Sequence, residues 1–109
     1  MFSIDDFNIS ITRGDTATIE MVFSGDVPDE TDTVVMSLKR NTNTKEILWE
    51  KHGKCMDGKA LFDIESKDTS KLAFGSYLWD IRIFYHDGQI TTPFKPKIFK
   101  VLEVVTNDR

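Results

Sequence analysis

The sequence predicts an all-β domain, an immunoglobulin-like antiparallel β-sandwich of about seven strands. Three observations carry that expectation. Apolar and polar residues alternate with a period of two almost throughout, and runs with a helical period are nearly absent. Turn-forming residues interrupt the alternation at intervals of roughly 8–12 residues. One stretch, Ser76 to His86, keeps Tyr77, Trp79, Ile81, Ile83 and Tyr85 on one face over five successive positions, because strand side chains point alternately to opposite sides.

The elements follow in order. Phe7, Ile9 and Ile11 alternate with Asn8, Ser10 and Thr12 in a first strand that stops at Gly14. Ile19, Met21 and Phe23 define a second, closed by Ser24-Gly25-Asp26, and the connection between the two is a tight turn. After the loop Asp26 to Asp32, Val34, Met36 and Leu38 share one face of a third strand, and Asn41-Thr42-Asn43-Thr44 is the next turn. Ile47, Leu48 and Trp49 form a short fourth strand. Beyond the Gly53 to Gly58 loop, Ala60, Phe62 and Ile64 form a fifth, and this pair reads as a hairpin. Ser66 to Leu72 fits one helical turn, with Ser66 as cap and Gly75 as terminator. The long sixth strand then runs into His86-Asp87-Gly88-Gln89, where Asp-Gly suits a type I′ hairpin turn. The last strand pairs antiparallel with it, is broken at Pro93 and Pro96, and resumes from Lys97 to Val105. A helical turn followed by Leu72-x-x-Gly75-x-Tyr77 is the setting of a tyrosine corner, with the Tyr77 hydroxyl bonding back to the loop.

At 109 residues the chain suits a single sandwich domain over residues 1–109, large enough to bury about two-thirds of its unfolded surface. A net charge of −4 would repel a phosphate backbone, so no nucleic-acid partner is expected. No apolar run approaches the roughly 20 residues that cross a bilayer, and no membrane association is expected. Met1-Phe2-Ser3-Ile4-Asp5-Asp6 places acids where a secretory signal has a basic segment and an apolar run, which implies cytoplasmic synthesis without a signal peptide. The lone Cys55 excludes an intrachain disulfide.

Candidate chemistry is sparse. His52 and Cys55 are the one local nucleophile and base, in a Gly- and Lys-rich loop without a recognisable oxyanion site. Asp26, Asp29, Glu30 and Asp32 crowd one loop and suggest calcium, but without EF-hand spacing a solvated acidic loop is the simpler reading. Arg13-Gly14-Asp15 spells an adhesion tripeptide at a position where a turn already calls for glycine. Trp49, Trp79, Tyr77, Tyr85 and Phe62 could stack on sugar rings, yet the alternation assigns most of them to the core. No catalytic or metal residue is nominated, and no cofactor or small-molecule substrate is expected. Leu78 and Phe84 on the reverse of the long strand, with Ile98, Leu102 and Val104 on the last, instead suggest a sheet face covered by another subunit.

One resemblance spans most of the chain. Phe7-x-Ile9, Arg13-Gly14-Asp15-Thr16, Asp68-x-x-x-Leu72-x-x-Gly75-x-Tyr77-x-Trp79-Asp80-Ile81, Asp87-Gly88 and Phe99-x-Val101 occur in an order that resembles the N-terminal domain of upper baseplate proteins from phages and prophages of Gram-positive bacteria. Asp29-Glu30-Thr31-Asp32 stands where that family carries an Asp-Leu-Thr-Gly-like string. The resemblance implies a non-enzymatic structural part of a tail or baseplate. Such a part would act through protein–protein contacts, as a homo-oligomer beside other virion proteins, and would be located in the virion. The alternative is a carbohydrate- or adhesion-type binding module.

Overall fold

The computed structural model describes residues 2–23 and 27–104. Among the described residues, strands make up 54% and helix 5%, so the fold is all-β. The elements are β1 (Phe2–Asp5), β2 (Asn8–Thr12), β3 (Ala17–Val22), β4 (Thr33–Lys39), β5 (Ile47–His52), β6 (Lys54–Met56), β7 (Lys59–Ile64), α1 (Ser66–Ser70), β8 (Gly75–Phe84), β9 (Ile90–Thr91) and β10 (Lys97–Leu102). A large sheet runs β1-β2-β10-β8-β4-β5, with β9 also on β8, and faces a small sheet, β3-β7-β6. The expected sandwich is therefore present. Its seven long strands are joined by short β1, β6 and β9, and β2 pairs parallel to β10.

Burial follows the two-residue period. On β8, Tyr77, Trp79, Ile81 and Ile83 are buried and Tyr85 beyond its end is half-buried against the core. Val34, Met36 and Leu38 of β4 and Phe99 and Val101 of β10 join them from the same sheet. Ile19, Met21, Phe62 and Ile64 close the core from the small sheet. Two indole and phenol groups are satisfied within this layer. Trp79 Nε1 donates to the Phe7 carbonyl at 2.9 Å, and the Tyr77 hydroxyl donates to the Ala73 carbonyl at 2.6 Å. The second bond is the tyrosine corner that the spacing predicts.

Several local expectations change. Phe7 is not in a strand: Asp6 and Phe7, at φ 50° and 63°, form the two-residue turn between β1 and β2. A bulky residue in that region is strained by about 1–3 kcal/mol, and Phe7 is held there by stacking on Phe94 at 5.0 Å. The tight turn at Gly14 is as expected, with the Asp15 N–H donating to the Thr12 carbonyl at 3.0 Å; it carries the chain from the large sheet to the small one, and the Gly14 N–H donates to buried Thr69 Oγ1. The closing turn Ser24-Gly25-Asp26 lies outside the described residues, and the last strand ends at Leu102, short of the expected Val105, with Glu103 and Val104 already outside the ladder.

The hairpin expected between the fourth and fifth strands is absent. β5 pairs with β4 in the large sheet, whereas β7 pairs with β3 and β6 in the small one. Gly53 makes this switch possible. Its N–H donates to the Val34 carbonyl at 2.8 Å, and a Cβ there would sit 2.8 Å from ring atoms of buried Phe62. The type I′ turn also lies elsewhere than expected. Asp57 and Gly58, at φ 50° and 79°, turn β6 into β7. At His86-Asp87-Gly88 only Gly88 has positive φ, 95°, which is the three-residue loop of a type I turn closed by a left-handed glycine. Glu65, not Ser66, occupies the cap position of α1; its N–H donates to the Asp68 carboxylate at 2.7 Å, and the helix ends at Lys71, before Gly75.

Gly53→Ala should force the fully buried Phe62 ring or the sheet crossing to move. A loss of about 1–3 kcal/mol is expected in urea denaturation at an unchanged slope. Wild-type stability in this variant would show that the close approach is unimportant.

Candidate metal-binding site

The register of β4 on β8 builds a cluster that neither segment contains alone. Thr33 lies opposite Phe84 at the end of seven paired positions, so the residues just outside the ladder, Asp32 and His86, come together from the β3–β4 loop and the β8–β9 turn. Asp29, Asp32 and His86 each offer one ligand atom, and the three atoms lie within 4.8 Å of one another.

Hydrogen bonds hold the loop in place. Asp32 N–H donates to the Asp29 carbonyl at 3.0 Å, and Asp29 N–H donates to Asp32 Oδ2 at 2.9 Å. The Thr31 N–H and hydroxyl both donate to Asp29 Oδ1. Asp32 Oδ1 accepts the His86 N–H at 2.8 Å and faces His86 Nδ1 at 2.9 Å. The Asp32 side chain is 3% exposed and that of His86 65%, so a nearly enclosed carboxylate meets a wet imidazole. The bonds from Thr31 hold the pKa of Asp29 below the ordinary carboxylate value. The Asp29 N–H, then the His86 ring and backbone, do the same for Asp32. Its hydrogen bond to Asp32, reinforced by that charge, raises His86 above the ordinary histidine value. The set is one nitrogen and two carboxylate donors, and a metal would replace the proton that His86 Nδ1 now shares with Asp32.

The sequence passed over His86. Asp87-Gly88 marked its turn, but the β4–β8 register that brings it to Asp32 is not a local signal. In the sequence Asp29 and Asp32 stand out only as part of an acidic loop with Asp26 and Glu30, a pattern that suggests calcium. Asp26 lies outside the described residues, Glu30 is exposed, and an imidazole in place of further oxygens is unlike a calcium cage.

His52 and Cys55 are not assembled into a nucleophile and base. His52 ends β5 in the large sheet, exposed and opposite Val35, while Cys55 lies in the small sheet with its side chain buried opposite Ala60. Burial raises the Cys55 thiol, and the charges of Asp32 and Asp29 raise it further, which is the reverse of activation. The expected interface residues are spread out. Leu78 and Ile98 are direct neighbours on the outer face, but Phe84 lies six residues along β8, about 20 Å away. Leu102 and Val104 are half-buried at and beyond the end of β10. Lys100, Asp80 and Arg82 interrupt the row.

No protein-family profile matches the sequence, and no curated protein does. Among solved structures the chain is similar to CopC from Methylosinus trichosporium OB3b, with a TM-score of 0.52 and 20% identity over 92% of this chain and 87% of that one. That likeness establishes the sandwich architecture. CopC is a copper-binding protein, and the comparison overturns the expectation of a phage or prophage tail or baseplate part working through protein–protein contacts. The strand, turn and tyrosine-corner signals behind that expectation belong to the sandwich itself.

Three outcomes follow from this geometry. The His86 contribution to stability is full below its ordinary value near pH 6.5 and is lost as pH rises through its elevated one. Those of Asp29 and Asp32 are full above about pH 4 and are lost as pH falls through their depressed values. In NMR titration Asp32→Asn should bring His86 back down toward the ordinary value, and an unchanged midpoint would contradict the pairing. Ellman's reagent at neutral pH should react with Cys55 more slowly than with free cysteine until urea unfolds the chain; fast labelling of the native protein would show an accessible, activated thiol.

Proposed function

We propose that this chain is a non-catalytic metal-binding module that holds a divalent transition-metal ion, copper(II) foremost, at one end of the sandwich. The observation that carries this reading is the convergence of Asp29, Asp32 and His86, three ligating atoms within 4.8 Å drawn from two loops. One imidazole nitrogen with carboxylate oxygens is a donor set for copper(II), and the affinity order of divalent ions favours it over zinc and nickel. The sandwich shared with the copper-binding protein CopC is consistent with this role. Binding would draw Nδ1 of His86 and the two carboxylates onto the ion and release the proton held on the imidazole, so affinity should fall as pH falls.

Calorimetric titration with copper(II) should show one equivalent bound. His86→Gln and Asp32→Asn should each weaken it about tenfold or more, with folding checked by circular dichroism. Electron paramagnetic resonance should show coupling to one imidazole nitrogen that disappears in His86→Gln. Equal affinity in wild type and both variants would rule out this site.

A further inference from the structure

On the outer face of the large sheet, far from the ion cluster, lies a cleft of about 180 Å³. Its floor is β4 and β8: Ser37 stands opposite Asp80, and Lys39 opposite Leu78. Thr42 of the turn after β4 and Pro96 just before β10 form its walls. Lys39 and Asp80 are diagonal cross-strand neighbours, a relation that puts Cβ atoms about 7–8 Å apart, within reach of a lysine stem. Both are half-buried, yet neither side chain has an ion-pair or hydrogen-bond partner among the described residues. Three other cations of these strands and turns are engaged elsewhere: Arg82 lies over the Phe84 ring and Arg40 over the Tyr77 ring, each at 5.6 Å, and Lys97 pairs with Asp6 at 3.8 Å.

We propose that this cleft binds a small zwitterion of the α-amino-acid class with an apolar side chain. Opposite charges lining one cavity without touching match a ligand that carries both, its ammonium on Asp80 and its carboxylate on Lys39 with the Ser37 and Thr42 hydroxyls as further donors. A simple amine or a simple carboxylate would leave one protein charge unanswered at the cleft. Leu78 and Pro96 offer apolar surface to the side chain. The volume is below the roughly 300–1,000 Å³ of drug-sized sites and suits a ligand of a few heavy atoms.

The test is a ¹⁵N NMR titration of the full chain with L-leucine, with 3-methylbutylamine lacking the carboxylate and 4-methylpentanoate lacking the ammonium. L-leucine should shift the amides of Ser37, Lys39, Leu78 and Asp80 saturably, with a Kd of about 1 mM, and each analogue should bind about tenfold more weakly. Asp80→Asn and Lys39→Met, both conservative in volume and half exposed, should each weaken leucine binding about tenfold. Asp32→Asn should leave it unchanged, which separates this site from the ion cluster. Absence of saturable shifts up to about 50 mM leucine, or an analogue binding as tightly as leucine, would overturn the proposal.

Discussion

The register of β4 against β8 is the constraint on which the rest of the molecule depends. Val34 opposite Ile83, Met36 opposite Ile81 and Leu38 opposite Trp79 place six apolar side chains on the inner face. A slip of one residue would turn Ser37 and Lys39 inward and expose Met36 and Leu38, so burial against the small sheet holds the alignment strongly. The same alignment decides what happens just past the ladder's end. It delivers Asp32 to His86, and on the outer face it sets Lys39 diagonal to Asp80. Core and surface chemistry are thus two readings of one pairing.

Much of the architecture was legible because burial has a period that sequence displays. The inner face of β8, the alternation in β2, β3, β4 and β7, and the Tyr77 hydroxyl bond are all local consequences of side-chain spacing. Partner choice was not legible, since it is decided by which face finds cover rather than by the strand's own residues. Ile47 to Trp49 and Ala60 to Ile64 follow one another across a turn-rich loop and read as a hairpin. They end in different sheets because Gly53 lets β5 run on into β6 above the Phe62 ring. His86 was invisible as a member of the cluster for the same reason, its partner lying fifty-four residues away. The virion reading failed at another level: its signals were turns and core positions, which any sandwich of this build needs.

The Asp29–Asp32–His86 cluster is a structural clasp as well as the proposed ligand set. Asp32 is satisfied by the Asp29 N–H, the His86 N–H and the imidazole, so an enclosed carboxylate is stable without an ion. That arrangement ties the Asp32 and His86 side chains to each other, and on the proposed reading such preorganisation would reduce the entropy lost on binding an ion. On the proposed metal-binding reading, the proton on His86 would compete with the ion.

The parallel pairing of β2 with β10 has a kinetic side. Asn8 accepts a hydrogen bond from the Ile98 backbone across ninety residues of sequence, and β10 is also the neighbour that completes one edge of β8. Contacts between such distant segments close large loops before they return any energy, which slows folding relative to chains built from local contacts. During synthesis the large sheet stays open between β2 and β8 until β10 has emerged. Over that interval the flanks of both strands present unpaired backbone groups to any neighbouring chain.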